Sequence, residues 1–251
     1  MSIVVFSKEI QASGSFNEGE IIEKKPIGFS QDGGEMKPYS NLFYWANAWT
    51  PNSKSTIELH PHQGFEICSF VIKGEIKHYD SKQKKWILLT KGDVQIIRAG
   101  SGISHAEEIL DESEIFQIWF DPDLSKTLNK PATYDDYKKI DFPVIVDKKV
   151  RTTIIKGGKS PFKMDSEGIE IKEYNFDIGI FNLELDDKFI YSFFIIYGSI
   201  RAENHKALKG AFIKIQDIKK ISFDVCEKSL VFEVKTPKLL TYPTYFERFM
   251  N

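Results

Sequence analysis

The sequence predicts an all-β chain with two antiparallel β-barrels in its 251 residues. Between residues 41 and 121, short apolar and aromatic runs alternate with turn signals such as Lys73-Gly74 and Lys91-Gly92-Asp93. No helical period separates these runs, and strands at such close spacing are typical of an antiparallel sandwich or barrel. The second half of the chain repeats the order of these motifs, which predicts a second barrel.

The first half is predicted to hold a regular series of strands. An early strand covers residues 3–6, and polar, Gly-rich segments follow it up to about residue 40. Later runs rich in aromatic and β-branched residues predict strands at residues 41–49, 65–72, 75–79, 86–89, 94–97 and 115–120. Glycines at the turns between them, Gly74 and Gly92 among them, allow backbone conformations that other residues avoid.

An internal repeat supports the second barrel. Residues 192–200 parallel residues 68–76 at an offset of 124, and residues 209–215 parallel residues 91–97 at an offset of 118. Motifs in the same order at nearly the same offset indicate a duplicated structural unit.

Residues 122–145 break the rhythm of strands and are predicted to connect two domains. Polar and charged residues concentrate there, in Asn129-Lys130-Pro131 and in residues 135–139. Such a composition is typical of an inter-domain segment. The predicted domains are an N-terminal barrel at residues 1–121, which carries the candidate metal site, and a C-terminal barrel at residues 146–251.

Composition and charge narrow the functional classes. The net charge of −2 gives no electrostatic reason to expect direct binding of nucleic acid or of an anionic membrane. Cys68 and Cys226 do not make a disulfide framework, which fits a reducing compartment. The N-terminus lacks the basic start and apolar core of a signal peptide, and no apolar run approaches membrane-spanning length. We therefore expect a cytoplasmic location.

Three of the five histidines lie at the two ends of one stretch, residues 59–108. His60 and His62 open this stretch, and His105 closes it together with Glu107. Residues two apart in an extended chain project from the same face, so each pair can aim at a common point. Three imidazoles and one carboxylate are a suitable ligand set for a divalent transition metal.

The other acidic and histidine residues considered as ligands are not expected to bind the metal. Alternation turns Glu108 away from the face of Glu107, so Glu108 is expected to be solvated. His78 and His205 have no partner at ligand spacing and are interpreted as ordinary core or surface residues. An offset of 118 places Phe223 opposite His105 and Val225 opposite Glu107. One metal site per chain is therefore predicted, in the first half.

The ligand types restrict the metal without identifying it. A zinc site of the thiolate type is disfavoured because no Cys pair accompanies the histidines. Three imidazoles with one carboxylate suit Fe(II), Mn(II), Ni(II), Co(II) or Cu(II), and six-fold coordination would leave two positions open.

Two further sets of residues are assigned supporting roles. Glu66 lies four residues after His62, but Gly64 can insert a bend that upsets the alternation, so Glu66 is expected to support the ligands or the fold. Seven aromatic residues are expected in the core, and some of them are candidates for the wall of a pocket for a flat ligand. They are Phe43, Tyr44, Trp45, Phe65, Phe70, Phe116 and Trp119.

These motifs resemble the pirin family of the cupin superfamily. The resemblance is carried by residues 60–66 (HPHQGFE), 91–95 (KGDVQ) and 99–107 (AGSGISHAE), and it covers about residues 41–121. The later half matches the family only in general layout. The resemblance implies a bicupin, in which two cupin barrels face one another and the N-terminal one alone binds metal. It implies that the metal is held by His60, His62, His105 and Glu107.

The resemblance also implies two alternative functions. Several pirins are quercetin 2,3-dioxygenases, which implies an enzyme that cleaves a flavonol-like aromatic substrate with O2. For such an enzyme our hypothesis is that Glu107 also serves as the catalytic base. Other pirins bind partner proteins and modulate transcription, which implies a non-enzymatic iron or redox sensor. Iron(II) is the preferred ion, with Mn, Ni, Co, Cu and Zn as alternatives. Many members have Arg or Lys at the position of Gln63, so the charge at the mouth of the pocket is expected to differ here. We expect Gln63 and Glu66 to surround the metal ligands and support them without binding the metal.

Overall fold

The computed structural model describes residues 2–249. Within this range the chain forms antiparallel strands with a few short helices, so the predicted all-β class is confirmed. The strands are β1 Ser2–Phe6, β2 Ala12–Phe16, β3 Ile21–Ile27, β4 Leu42–Trp49, β5 Ser55–His62, β6 Glu66–Lys73, β7 Glu75–Asp80, β8 Trp86–Thr90, β9 Val94–Arg98, β10 Ile103–Ile109, β11 Glu114–Phe120, β12 Thr133–Tyr137, β13 Val144–Asp147, β14 Val150–Lys156, β15 Glu170–Phe176, β16 Gly179–Glu184, β17 Phe189–Tyr197, β18 Ser199–Ala202, β19 His205–Leu208, β20 Phe212–Gln216, β21 Lys220–Val225 and β22 Ser229–Pro237. The α-helices are α1 Leu124–Thr127 and α2 Tyr245–Phe249, and 3-10 turns lie at Lys8–Ile10, Asn17–Gly19, Ser30–Asp32 and Lys139–Asp141.

The chain divides into two compact units. The first unit contains Gln11–Lys139, Met164–Ser166 and the chain from Thr241 onwards. The second unit contains the chain up to Ile10 together with Ile140–Lys163 and Glu167–Leu240. The predicted boundaries at residues 121 and 146 remain a prediction about independent domains, because compactness does not test whether either part folds alone.

The first unit is built from two antiparallel sheets. A seven-stranded sheet has the order β12-β9-β6-β11-β4-β3-β2, and a four-stranded sheet has the order β5-β10-β7-β8. Apolar side chains from both sheets form a shared core, to which the larger sheet contributes Val71 and Ile115 and the smaller sheet contributes Ile76 and Ile109. β-Branched residues fill this space because their side chains pack well on a pleated surface.

The second unit repeats this plan. Its sheets have the orders β1-β20-β17-β22-β15-β14-β13 and β16-β21-β18-β19. The turn after β6 is at Gly74 and the turn after β17 is at Gly198, with φ of 70° and 82°. A Cβ at Gly74 would collide with Ser113, and one at Gly198 would collide with Ser229. The same turn therefore requires glycine in both halves, because φ is positive and space is lacking.

The early strand has an unexpected place. β1 was predicted at residues 3–6 within the N-terminal barrel, but it pairs with β20 of the second unit, where Val4 lies opposite Lys214. In that sheet β1 flanks β20 as β12 flanks β9 in the first unit. Pairing between residues about 210 positions apart leaves no local signal in the sequence. As for membranes, residues 2–249 contain no helix with the length and apolar character needed to cross one.

Candidate metal centre

Two neighbouring strands of the four-stranded sheet carry the predicted ligands. His60 and His62 lie on β5, and His105 and Glu107 lie on β10. In the antiparallel register His105 lies opposite His60, and His62 lies opposite Ile103. The register shifts between His105 and Glu107, with one more residue on β5 than on β10. Such a bulge bends the strand locally and re-aims its side chains.

The three imidazoles converge on one point. The Nε2 atom of His105 lies 2.9 Å from Nε2 of His62 and 3.0 Å from Nε2 of His60. One ligand atom from each of the three residues falls within 4.8 Å of the others. Imidazole nitrogens bound to one ion at about 2.0–2.1 Å, at right angles, would be about 3.0 Å apart. The spacing therefore fits three imidazoles on adjacent positions of a divalent ion.

In two of the three rings the nitrogen that faces away from the cluster makes a hydrogen bond. Nδ1 of His60 donates to the backbone carbonyl of Glu58 at 2.7 Å, which leaves a lone pair on Nε2. Nδ1 of His105 lies 3.2 Å from Nε2 of His78. Metal-bound histidines commonly bond through their second nitrogen in this way, which sets the tautomer and the ring orientation.

The interpretation of His78 as a core residue is confirmed, and the structure adds a contact between its ring and His105. His78 is buried on β7, and its ring lies directly behind the ring of His105. Ligand spacing along the sequence did not indicate this contact, because β7 and β10 are joined only by the pairing of the sheet. The other histidine outside the predicted ligand set, His205, is exposed on β19 of the second unit, in line with its interpretation as a core or surface residue.

His62 and His105 are held in their neutral form. Burial, together with His60, lowers the pKa of His62 to about 4. Burial and the neighbouring imidazoles of His62 and His78 place the pKa of His105 well below its usual value. Neutral imidazole is the form that binds metal ions, so the pocket keeps these ligands ready at neutral pH.

Glu107 is fully buried, but its carboxylate is not part of the cluster of three imidazoles. Oε1 accepts a hydrogen bond of 2.6 Å from Oγ of Ser69, and Oε2 accepts one from the side-chain amide of Gln117. The indole N–H of Trp119 in turn donates to Oε1 of Gln117 at 3.0 Å. Burial raises the pKa of Glu107, whereas the bonds from Ser69 and Gln117 lower it. Its role as a fourth ligand stays a prediction.

Glu66 contacts a different part of the first unit. Its buried carboxylate accepts the backbone N–H groups of Asp165 at 2.6 Å and of Ser166 at 2.8 Å. The guanidinium of Arg98 lies 3.7 Å away. These contacts anchor residues 164–166, so the described bonds of Glu66 serve the fold. Its predicted support of the metal ligands stays a prediction.

A cleft of about 580 Å³ opens beside the imidazoles. Its lining includes His62 and Gln63 together with Ser101, Gly102 and Ser104. The side chain of Gln63 donates to the backbone carbonyl of Ser101 at 3.3 Å. The mouth of the cleft therefore carries a neutral amide at position 63.

Part of the predicted aromatic set forms a wall next to His62. The Trp119 and His62 rings meet edge to face with centroids 4.9 Å apart. Phe65 lies 5.8 Å beyond Trp119, and Phe43 stacks on Phe65 at 4.5 Å. Tyr44 contacts the other side of Trp119 at 5.1 Å. The other three aromatic residues are fully buried core side chains, namely Trp45, Phe70 and Phe116.

The equivalent strands of the second unit carry no such ligands. β21 lies between β16 and β18 as β10 lies between β5 and β7. Phe223 and Val225 on β21 are fully buried in a hydrophobic cluster. Among residues 2–249, the three imidazoles of the first unit are the one group of three or more His, Cys, Asp and Glu side chains arranged to hold a metal.

Comparison with known proteins agrees with this description. The Pirin family matches residues 24–120. A pirin-like protein of Caulobacter vibrioides is 46% identical over 65 residues, which are 25% of this chain and 28% of that protein. The match thus spans less than a third of that relative's length.

Two solved structures share the fold over nearly the whole chain. The bacterial pirin YhhW from Escherichia coli, in complex with nickel(II), is 17% identical with a TM-score of 0.78, covering 95% of this chain and 100% of the other. A quercetin 2,3-dioxygenase from Acinetobacter baumannii is 19% identical with a TM-score of 0.80, covering 96% and 82%. At this identity the likeness shows the fold.

Proposed function

Because residues 24–120 carry a pirin domain, we propose that this protein is a metal-dependent dioxygenase that cleaves a flavonol-like aromatic substrate with O2. The observation that carries the proposal is the convergence of three imidazoles, of which His62 lines a cleft and packs against the aromatic ring of Trp119. The solved structure of a quercetin 2,3-dioxygenase with the same fold supports quercetin as the first substrate to test.

His60, His62 and His105 are the residues that would hold the ion. A divalent metal bound there would supply a Lewis acid and template for an ionised substrate hydroxyl. Iron(II) is our preferred ion, and nickel(II) is supported by the nickel complex of a pirin with this fold. The donor set suits these ions because imidazole and carboxylate ligands bind iron and nickel well.

The chain's own residues would orient the substrate and move its proton. A flat ring bound next to His62 would lie near Trp119, whose ring meets that of His62 edge to face, and such a contact favours one orientation. Glu107 would help to hold the metal before the substrate binds. Its carboxylate would then act as the base that accepts the hydroxyl proton. Ser69 and Gln117 hold that carboxylate in place, which reduces the entropic cost of the transfer.

A turnover assay tests the proposal. Protein freed of metal and reloaded with Fe(II), Mn(II), Ni(II) or Co(II) is given quercetin under O2, and loss of the flavonol absorbance and release of carbon monoxide are followed. His62→Ala and His105→Ala are expected to abolish activity, whereas His205→Ala, an exposed residue of the second unit, is expected to retain it. Equal loss in all three variants would contradict the site. Metal binding without turnover of any flavonol would favour the alternative, a non-enzymatic sensor that binds a partner protein.

A further inference from the structure

His78 has the position of a residue that orients a metal ligand. It lies on β7, which pairs with β10 so that His78 lies opposite Glu107 and Asp80 lies opposite His105. The side chains of His78 and Asp80 are both fully buried. Among the described hydrogen bonds, the ring nitrogens of His78 make one, which joins Nε2 of His78 and Nδ1 of His105.

The direction of that hydrogen bond follows from the chemistry of the cluster. Nε2 of His105 faces the nitrogens of His60 and His62, so a metal there needs the Nε2 lone pair. The proton of neutral His105 must then be on Nδ1, which makes Nδ1 the donor and Nε2 of His78 the acceptor. Neutral His78 in turn carries its own proton on Nδ1.

The carboxylate of Asp80 is the group suited to accept the hydrogen bond from Nδ1–H of His78. Nδ1 of His78 and Oδ2 of Asp80 are buried atoms that have no hydrogen-bond partner among residues 2–249. The two residues are two apart on one strand, so their side chains share a face. Oδ1 of Asp80 is held by the backbone N–H groups of Lys82 at 2.8 Å and of Gln83 at 2.7 Å, which leaves Oδ2 as the available acceptor.

We propose that His78 and Asp80 are positioning residues that fix the tautomer of His105, so that its Nε2 presents a lone pair to the metal. In this arrangement Nδ1–H of His105 donates to Nε2 of His78, and Nδ1–H of His78 donates to a bridging water that is held by the carboxylate of Asp80. This extends the usual pairing of a metal-bound histidine with a carboxylate by one imidazole. The inference rests on the proposed metal centre, but it is independent of the substrate.

Matched variants at position 78 test the role of His78. His78→Phe keeps a flat ring and removes the acceptor, whereas His78→Gln keeps an acceptor oxygen and a donor. Calorimetry with Ni(II) and metal-free protein is expected to show affinity about 10–100-fold weaker for His78→Phe, largely restored in His78→Gln. The exposed control His205→Phe should bind as the unmodified protein does. Equal loss in both variants at position 78, or equal affinity in all, would overturn the proposal.

Asp80→Asn provides a second measurement that does not depend on changing the ring. The backbone N–H groups of Lys82 and Gln83 would hold the amide oxygen, so the amide N–H₂ would face Nδ1–H of His78 and oppose the required tautomer. We expect Ni(II) affinity to fall at least tenfold, by the same reasoning as for His78→Phe. In the Zn(II)-loaded protein, imidazole ¹⁵N NMR should show His78 protonated on Nδ1. Protonation on Nε2 would overturn the proposal even if affinity falls, and failure of the unmodified protein to bind Ni(II) would overturn the metal centre as well.

Discussion

The Nε2 atoms of His62 and His105 lie 2.9 Å apart although 43 positions separate the two residues in the chain. At this distance one ring can donate its N–H to the lone pair of the other, whereas a metal ion requires a lone pair from both rings. The strands β5 and β10 enforce the approach through their backbone pairing. Binding of an ion at this point therefore displaces any proton that lies between the two nitrogens.

The first prediction concerns stability in the presence of metal. Ni(II) at 100 times its dissociation constant should stabilise the protein by about 2.7 kcal/mol, because the ion binds the folded state alone. His105→Ala should abolish this gain, since His105 takes part in both short nitrogen contacts. Denaturant unfolding with and without Ni(II) measures the effect. A full gain in the variant would show that the ion binds elsewhere.

The second prediction concerns the metal-free protein at acid pH. The pKa of His62 is lowered from 6.5 to about 4, so the unfolded chain binds a proton at this residue more readily than the folded chain does. The contribution of neutral His62 to the free energy of unfolding is complete above pH 6.5. It is lost as the pH falls towards 4, a change of about 3 kcal/mol at most. His62→Phe should remove this part of the pH dependence of the unfolding free energy. An unchanged slope between pH 7 and pH 4 would contradict the lowered pKa.

Asp121 gives a prediction of the opposite sign. Burial raises its pKa from 3.8 to about 6, although its carboxylate accepts the backbone N–H of Tyr245 at the start of α2. The folded state then favours the protonated acid. The contribution of Asp121 to the free energy of unfolding is therefore complete below pH 3.8 and is lost as the pH rises through 6, a change of about 3 kcal/mol at most. Asp121→Asn should therefore gain stability relative to the unmodified protein as the pH rises from 4 to 7. A constant difference over that range would refute the assignment.

The fourth prediction separates the role of Glu66 from that of the ligands. Glu66→Ala should cost about 2–3 kcal/mol of unfolding free energy, because the N–H groups of Asp165 and Ser166 lose a charged acceptor. The matched control is Glu112→Ala, whose exposed carboxylate pairs with Lys73 at 3.4 Å and should change stability by less than about 0.5 kcal/mol. Ni(II) affinity measured on folded Glu66→Ala should remain close to that of the unmodified protein. A tenfold loss there would show that Glu66 also supports the ligands.

The sequence was sufficient for those parts of the site that depend on alternation within one strand. His60 and His62 share a face, His105 joins them, and Glu108 turns away to pair with Lys77 at 2.8 Å. The duplication was also readable, because the glycine turns recur in order. These features are local or periodic, and a sequence displays them directly.

The parts that were missed depend on pairing between distant strands. His78 contacts His105 because β7 lies beside β10, and no spacing along the chain expresses that neighbourhood. Residues 7–40 were interpreted as polar and Gly-rich segments, yet β2 and β3 form there by pairing with each other and with β4. β2 lies at the edge of its sheet and β3 lies next to it, and such strands are stabilised by their neighbours more than by their own composition.

The placement of β1 bears on the order in which the two units can be completed during synthesis. The strand Ser2–Phe6 acquires its partner only when residues 212–216 have left the ribosome. The first unit likewise receives α2 only after residues 245–249 have been made. Neither unit can therefore reach its final form while the nascent chain is short, and β1 must remain soluble until then. Its short length of five residues limits premature pairing with other chains.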